Sequence, residues 1–212
     1  MTRVAQFAAL VARARALADG PRRLLGIVGP PGAGKSTLAA RIVAELGPQA
    51  VLVPMDGFHL AEAELRRLGR HARKGAIDTF DADGYVALLR RLRGPGAETV
   101  YAPEFRREIE EPVAGAIPVP ASVPLVVTEG NYLLVPEHPW GRVRELLDEA
   151  WYLDVDEGLR LRRLTARHIA YGREPAAAAA RARGVDQVNA ELIAATAPRC
   201  DLVVRLDAPL TA

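Results

Sequence analysis

Residues 29 to 36 read Gly29-Pro30-Pro31-Gly32-Ala33-Gly34-Lys35-Ser36, with an apolar run (Leu24 to Val28) before them and a helix-compatible run (Thr37 to Val43) after. The chemistry open to this spacing is phosphate capture. Glycines let successive backbone N–H groups close around an anion, and the positive end of the following helix faces it. Lys35 is spaced to reach the β and γ phosphates of a nucleoside triphosphate, and Ser36 to offer its hydroxyl to Mg²⁺. The expected nucleotide contacts are therefore Gly29, Pro30, Pro31, Gly32, Ala33, Gly34, Lys35, Ser36 and Thr37, with ATP and Mg²⁺ as cofactors. A chance glycine-rich turn is disfavoured because strand, loop and helix occur in the required order. Lys35 and Lys74 are the only lysines in an arginine-rich chain, which fits a role needing a compact ammonium.

Two acids follow apolar runs further on. Asp56 comes after Ala50 to Val53, in Met55-Asp56-Gly57-Phe58-His59, where a carboxylate can take the proton of a hydroxyl aimed at a γ-phosphate. The plainer alternative is an Asx turn before Gly57. Glu129 comes after Leu125 to Thr128, in Glu129-Gly130-Asn131-Tyr132, and suits either Mg²⁺ or an acceptor hydroxyl. Arg160, Arg162, Arg163, Arg167 and Arg173 are expected on one helix opened by Asp156-Glu157. Arg163 and Arg167, spaced i, i+4, share a face and suit a lid that neutralises a transferring phosphoryl group; a solvated basic face is the competing use.

These residues need a scaffold that brings strand ends together. Apolar runs at 24–28, 50–53, 125–128, 150–154 and 201–205 alternate with helical stretches, which predicts an α/β three-layer sandwich with a central parallel sheet. Ligands bind beyond the carboxyl ends of such strands, which is where Asp56 and Glu129 fall. Residues 94–124 are rich in Pro and Gly and read as a hairpin or flap, since Pro is poorly tolerated inside a sheet. Residues 1–19 read as an N-terminal helix with Val4, Phe7, Val11 and Ala14 on one stripe, and 157–185 as an arginine-rich helical lid. The alanine run 176–180 is expected to begin a helix after Glu174-Pro175.

The 212 residues, half of them apolar and a quarter charged, predict one folded domain over 1–212. No apolar run approaches the ~20 residues that cross a bilayer, and the first segment lacks the pattern of a cleavable signal, so a cytoplasmic location without membrane partners is expected. Cys200 is the sole cysteine and the four histidines are dispersed, which argues against disulfides and a zinc site. A net charge of +2 without a nucleic-acid signature disfavours a nucleic-acid partner, and the arginines at 90–93 read as a solvated face beside Tyr85, Leu88, Leu89 and Leu92.

The Gly-x4-Gly-Lys-Ser run, Met55 to His59, Arg73-Lys74-Gly75-Ala76-Ile77-Asp78-Thr79-Phe80-Asp81, Glu129 to Tyr132 and the arginine-rich lid together resemble the phosphoribulokinase, uridine kinase and bacterial pantothenate kinase superfamily of P-loop kinases over residues 24 to 206. The Asp-Gly-Phe and Arg-Lys-Gly-x4-Phe-Asp patterns, with Asp186 to Ile193 late in the chain, are most similar to the pantothenate kinase branch, and Asp56-Gly57-Phe58-His59 is also similar to the Asp-Ser-Phe-His of phosphoribulokinases. The resemblance implies transfer of the ATP γ-phosphate to a hydroxyl of a small molecule, with Asp56 as base and Lys35, Arg163 and Arg167 stabilising charge. It implies Phe58, His59, Lys74, Tyr101, Phe105, Glu129, Asn131, Tyr132 and Asn189 around the acceptor, and Ser36 and Glu129 at the metal. Tyr101-Ala102-Pro103 stands where pantothenate kinases have Tyr-Ser-His, so the acceptor stays open among vitamin-precursor, nucleoside and sugar types. The competing expectation is an ATP-binding regulatory switch without a small-molecule acceptor. A second copy of the chain is the one protein partner considered.

Overall fold

A computed structural model describes residues 2–94 and 98–206, and for 2–5 the backbone alone. In chain order the elements are β1 (Thr2–Ala5), α1 (Phe7–Leu17), β2 (Arg23–Val28), α2 (Lys35–Leu46), β3 (Ala50–Pro54), α3 (Glu62–Arg67) and α4 (Ala82–Arg93). Then come β4 (Thr99–Arg106), β5 (Glu111–Pro120), β6 (Leu125–Gly130), α5 (Gly141–Leu146) and β7 (Glu149–Leu153). The chain continues through α6 (Glu157–Ala170), α7 (Pro175–Arg183), α8 (Val185–Ala194) and β8 (Leu202–Leu206). Six strands form one parallel sheet in the order β1-β8-β7-β2-β6-β3. The central strands read as unbroken apolar runs because both faces are covered. In β2, Leu25 and Ile27 pack with Leu10 and Ala14 of α1 and Leu38 and Ile42 of α2. Leu24 and Val28 join the opposite core with Tyr85, Leu89 and Leu92 of α4 and Val143 of α5. This is the expected three-layer α/β sandwich.

Strand register puts the chemistry at one edge. Glu129, the penultimate residue of β6, lies level with Ile27 of β2 and Pro54 of β3. The ends of β2, β3 and β6 therefore open together, into the glycine-rich loop, Asp56 and Asn131 respectively. Thr128 Oγ1 donates to the Val53 carbonyl and is hydrogen-bonded to Tyr85 Oη, both at 2.6 Å, which locks β6, β3 and α4 behind the site.

Residues 94–124 contain the antiparallel pair β4–β5, separate from the main sheet. Its strands run through the charged stretch to a turn at 107–110, and the ladder breaks at Pro103, which has no N–H to donate. A Cβ at Gly57 would collide with the Pro103 carbonyl, so glycine beside Asp56 is what lets the hairpin lie on that turn.

The N-terminal reading needs correction. Residues Thr2–Ala5 form an edge strand paired with β8, and the helix starts only at Phe7. Its inward stripe is Leu10, Ala14 and Leu17, flanked by Phe7 and Val11. Four residues carry no usable periodicity, and their pairing partner is two hundred residues away. Asp81 caps α4 by accepting from the Gly84 amide at 2.8 Å, and Arg90, Arg91 and Arg93 are exposed on it beside the buried stripe. No helix among the described residues is long and apolar enough to cross a membrane.

Candidate active site

The loop after β2 has the backbone a phosphate cradle needs. Gly32 and Gly34 have φ of +85° and +97°, in the left-handed region that L side chains rarely adopt. A Cβ at Gly32 would also lie 2.8 Å from the Arg160 carbonyl, because the first turn of α6 packs onto the loop. Arg160 is wholly buried there: its guanidinium donates to the Pro31 carbonyl at 3.2 Å, pairs with Glu157 at 2.8 Å and reaches the Gln187 side chain. It belongs to the lid helix in sequence, but it braces the loop against α6 and α8.

Lys35 opens α2 and is buried. Its Nζ donates to Asn131 Oδ1 at 2.7 Å and to the Pro30 carbonyl at 3.3 Å. Burial lowers its pKa to about 8, against the opposing pull of Glu129 and Asp56. A group with a depressed pKa is protonated below that value and loses its charge as pH rises through it. We therefore expect kcat/KM for ATP, which reports the free enzyme, to fall above about pH 8, and Lys35→Arg to remove that limb because guanidinium stays protonated. Steady-state kinetics at limiting ATP from pH 6.5 to 9.5 checks both.

Beside Lys35, Ser36 Oγ donates to Glu129 Oε1 at 2.9 Å. Glu129 is buried at the floor, and its pKa is raised by that burial and then by the negative charge of Asp56. Two hard carboxylates and a hydroxyl, with the acids repelling each other, form a donor set that a divalent cation would relieve. Mg²⁺ commonly takes one or two protein carboxylates and completes its shell with water and phosphate, so the set fits. Among the described residues no cluster of three or more His, Cys, Asp or Glu offers an all-protein alternative.

Asp56 sits in the turn after β3, a third exposed, with Arg107 Nη2 3.7 Å from its carboxylate. The Asp56 carbonyl accepts from His59 Nδ1 at 2.8 Å. Because a carbonyl only accepts, Nδ1 carries the proton, and burial lowers the ring's pKa, so neutral His59 keeps Nε2 as an acceptor. The ring lies between Phe80 and Phe105, at centroid distances of 4.0 and 4.7 Å.

Lys35, Ser36, Glu129, Asn131, Asp56 and His59 border one cleft of about 580 Å³, which Gly32, Gly34 and Arg160 do not line. Of the expected site residues it gathers Pro31, Lys35, Ser36, Asp56, His59, Lys74, Phe105, Glu129, Asn131, Arg167 and Asn189. Others lie elsewhere. Phe58 packs edge-on against Tyr85 in the core, and Tyr132 is fully buried with its hydroxyl donating to the Gly75 carbonyl at 2.6 Å. Tyr101 is 58% exposed and does not line the cleft. Arg163 lies by the loop, its Nη1 3.7 Å from where a Cβ on Gly34 would be. Lys74 is held by Glu62 at 3.0 Å and by the carbonyl and carboxylate of Glu110 at 2.6 and 3.2 Å. The cleft also contains residues that sequence reasoning passed over: Arg107 in the hairpin turn, Glu62, and His168 paired with Asp186 at 2.7 Å. Only the arginine cluster at 106 and 107 gave any signal, and nothing local said which way it pointed.

A parallel sheet with a Gly-x4-Gly-Lys-Ser loop at its carboxyl edge and acids on the two neighbouring strand ends defines the P-loop kinase class. Residues 24–206 match the phosphoribulokinase/uridine kinase family, and the chain belongs to it. A Schizosaccharomyces pombe protein provisionally named uridine kinase C227.14 is 37% identical over 160 residues, 71% of this chain and 68% of its own length. The ATP-dependent kinase-like protein notR′ of Aspergillus versicolor is 36% identical over 146 residues, covering 65% of this chain and 85% of that protein. Among solved structures, a protein from Silicibacter sp. TM1040 provisionally named a fructose transport system kinase superposes with a TM-score of 0.84 at 36% identity, covering 94% of this chain and 98% of the other. Membership supports an ATP-dependent phosphotransferase.

Proposed function

We propose that the chain transfers the γ-phosphate of ATP to a hydroxyl of a small metabolite in the cytoplasm, with Asp56 as general base. The observation that carries this reading is the continuity of the cleft: the Lys35–Ser36–Glu129 floor and the Asp56 carboxylate border the same space, which continues past His59, Phe80 and Phe105. A volume of about 580 Å³ is in the range that accommodates a small organic ligand. The glycine-rich loop and Lys35 hold the phosphates. Ser36 and Glu129 would hold Mg²⁺, which supplies charge neutralisation on the phosphoryl oxygens. Asp56 takes the proton as the acceptor oxygen bonds to the γ-phosphorus and the bond to the β–γ bridging oxygen breaks, leaving ADP. Arg167 overhangs the cleft from α6 and, with Arg163 near the loop, is placed to stabilise the transferring group.

A regulatory ATPase would need the nucleotide floor but no chamber beyond Asp56. ADP release measured with pantothenate, uridine, cytidine, ribulose 5-phosphate, D-glycerate and fructose separates the two. At least one acceptor is expected to raise turnover well above the acceptor-free rate. The same slow hydrolysis with every compound would favour the switch.

A further inference from the structure

The cleft carries more cations than its own acids occupy. Glu62 is taken up by Lys74 at 3.0 Å and His71 at 3.1 Å, Glu110 by Lys74, and Asp186 by His168. Arg181 donates to the carbonyls of Ala72 and Lys74. Arg107, Arg167 and Arg173 are left. Among the described residues, the side chains of Arg167 and Arg173 have no hydrogen-bond or ion-pair partner, and the one ion pair of Arg107 is with Asp56, at 3.7 Å.

These three do not share one origin. Arg167 and Arg173 come from α6 and the segment just after it, the region that also packs on the phosphate loop. Arg107 comes from the β4–β5 turn, on the Asp56 side, where an acceptor must lie for its hydroxyl to meet the base. Its guanidinium is 6.0 Å from the Phe105 ring centroid and 5.6 Å from that of Tyr171, and such ring contacts hold a planar cation in place while leaving its fork of donors free. Arg107 and Arg167, both exposed at the cleft, are also close enough to repel. Asp56, Asp186 and Glu129 pull against that repulsion, and an anionic acceptor would add to their effect where a neutral one would not.

We propose that the acceptor bears an anionic group, a carboxylate or a phosphate, in addition to its reacting hydroxyl, and that Arg107 binds this group in exchange for its contact with Asp56. The exchange has a chemical consequence. The guanidinium that lies 3.7 Å from the Asp56 carboxylate is drawn aside, which opens that carboxylate to the acceptor hydroxyl. Arg107 is thereby a specificity-determining residue, and the reaction step, though not the binding step, rests on the kinase reading above.

The test uses matched pairs that differ in charge: D-glycerate and glycerol, pantothenate and pantothenol, ribulose 5-phosphate and ribulose. Binding is measured by calorimetry in the presence of a non-hydrolysable ATP analogue with Mg²⁺, and turnover by ADP release, on the full chain. For at least one pair the anionic member is expected to bind about tenfold to a hundredfold better, the scale of a charge-assisted hydrogen-bonded contact. Arg107→Gln should collapse that ratio toward one and Arg107→Lys should restore part of it; both replacements are at a half-exposed turn position. The carboxylate and phosphate pairs identify which anion is used. Equal or better binding of every neutral member, binding of neither member of any pair, or a ratio unchanged in Arg107→Gln would overturn the proposal. So would a loss of Mg-ATP affinity in Arg107→Gln matching the loss for the acceptor, which would assign Arg107 to the nucleotide. Arg107-dependent binding of an anionic member without phosphate transfer would keep this inference and remove the kinase reading.

Discussion

Asp56→Asn is expected to lower acceptor phosphorylation by ~10²–10⁴-fold while leaving the fold intact, the range over which a positioned general base contributes. The replacement keeps the side chain's size and leaves the backbone carbonyl that accepts from His59 Nδ1. What it removes is the capacity to take a proton, together with one of the two negative charges at the site floor. Mg-ATP binding should survive, since in the proposed reading the loop and Lys35 hold the phosphates. The structure sharpens the alternatives. Asp56 is near enough to Glu129 to raise that acid's pKa, so the two carboxylates share one electrostatic environment. If Asp56 holds the cation, Mg-ATP affinity will fall together with turnover. If it only shapes the turn before Gly57, neither will change much. Calorimetric titration of Mg-ATP and acceptor-dependent ADP release on this one variant distinguish the three, and phosphorylation near the wild-type rate would reject the base assignment.

Lys35→Ala is expected to cost ~2–4 kcal/mol of transition-state stabilisation, roughly thirtyfold to a thousandfold in kcat, the scale for removing one preorganised charge donor. The folded chain should tolerate it. Lys35 is charged at neutral pH despite burial, and its depressed pKa means that the folded state disfavours the proton relative to the unfolded chain. Between about pH 8 and its ordinary value of 10.5 the unfolded chain holds that proton and the folded chain releases it, so the cost is full below 8 and fades as pH rises. Removing the ammonium at pH 7 should therefore not lower the melting temperature much, although Asn131 loses its 2.7 Å partner. Loss of turnover with an unchanged thermal melt is the expected pair of results. Unchanged turnover by a folded Lys35→Ala protein would remove the nucleotide site from this loop.

Much of the site was legible because its chemistry is written in contiguous residues. Eight consecutive residues specify the phosphate loop, since left-handed glycines, the ammonium and the hydroxyl act within one turn of each other. Asp56 and Glu129 were found by a second local rule: a parallel strand is an apolar run, and what lies at its carboxyl end faces the ligand edge. Register then decided that β2, β6 and β3 are neighbours, which places the two acids and the loop within one cleft.

The remainder depends on contacts that no local pattern encodes. Arg160, Arg163 and Arg167 read alike on one helix, yet Arg160 is buried against Pro31, Arg163 lies by Gly34 and Arg167 lines the cleft, because α6 is packed on the loop along one side only. Tyr101 and Phe105 read as similar aromatics on one hairpin; the ladder break at Pro103 separates them, leaving the first exposed and the second in the cleft. Tyr132 adjoins a site residue in sequence but closes the core, and Arg107, fifty-one residues from Asp56, comes to face it because Gly57 lets the hairpin cross that turn. By itself the sequence determined the glycine-rich loop, five of the six strands of the parallel sheet and which strand ends bear acids, all consequences of short-range periodicity and backbone conformation. Only the tertiary structure decided which charges face the cleft, because side chains distant in sequence acquire direction and neighbours only when the elements that carry them pack.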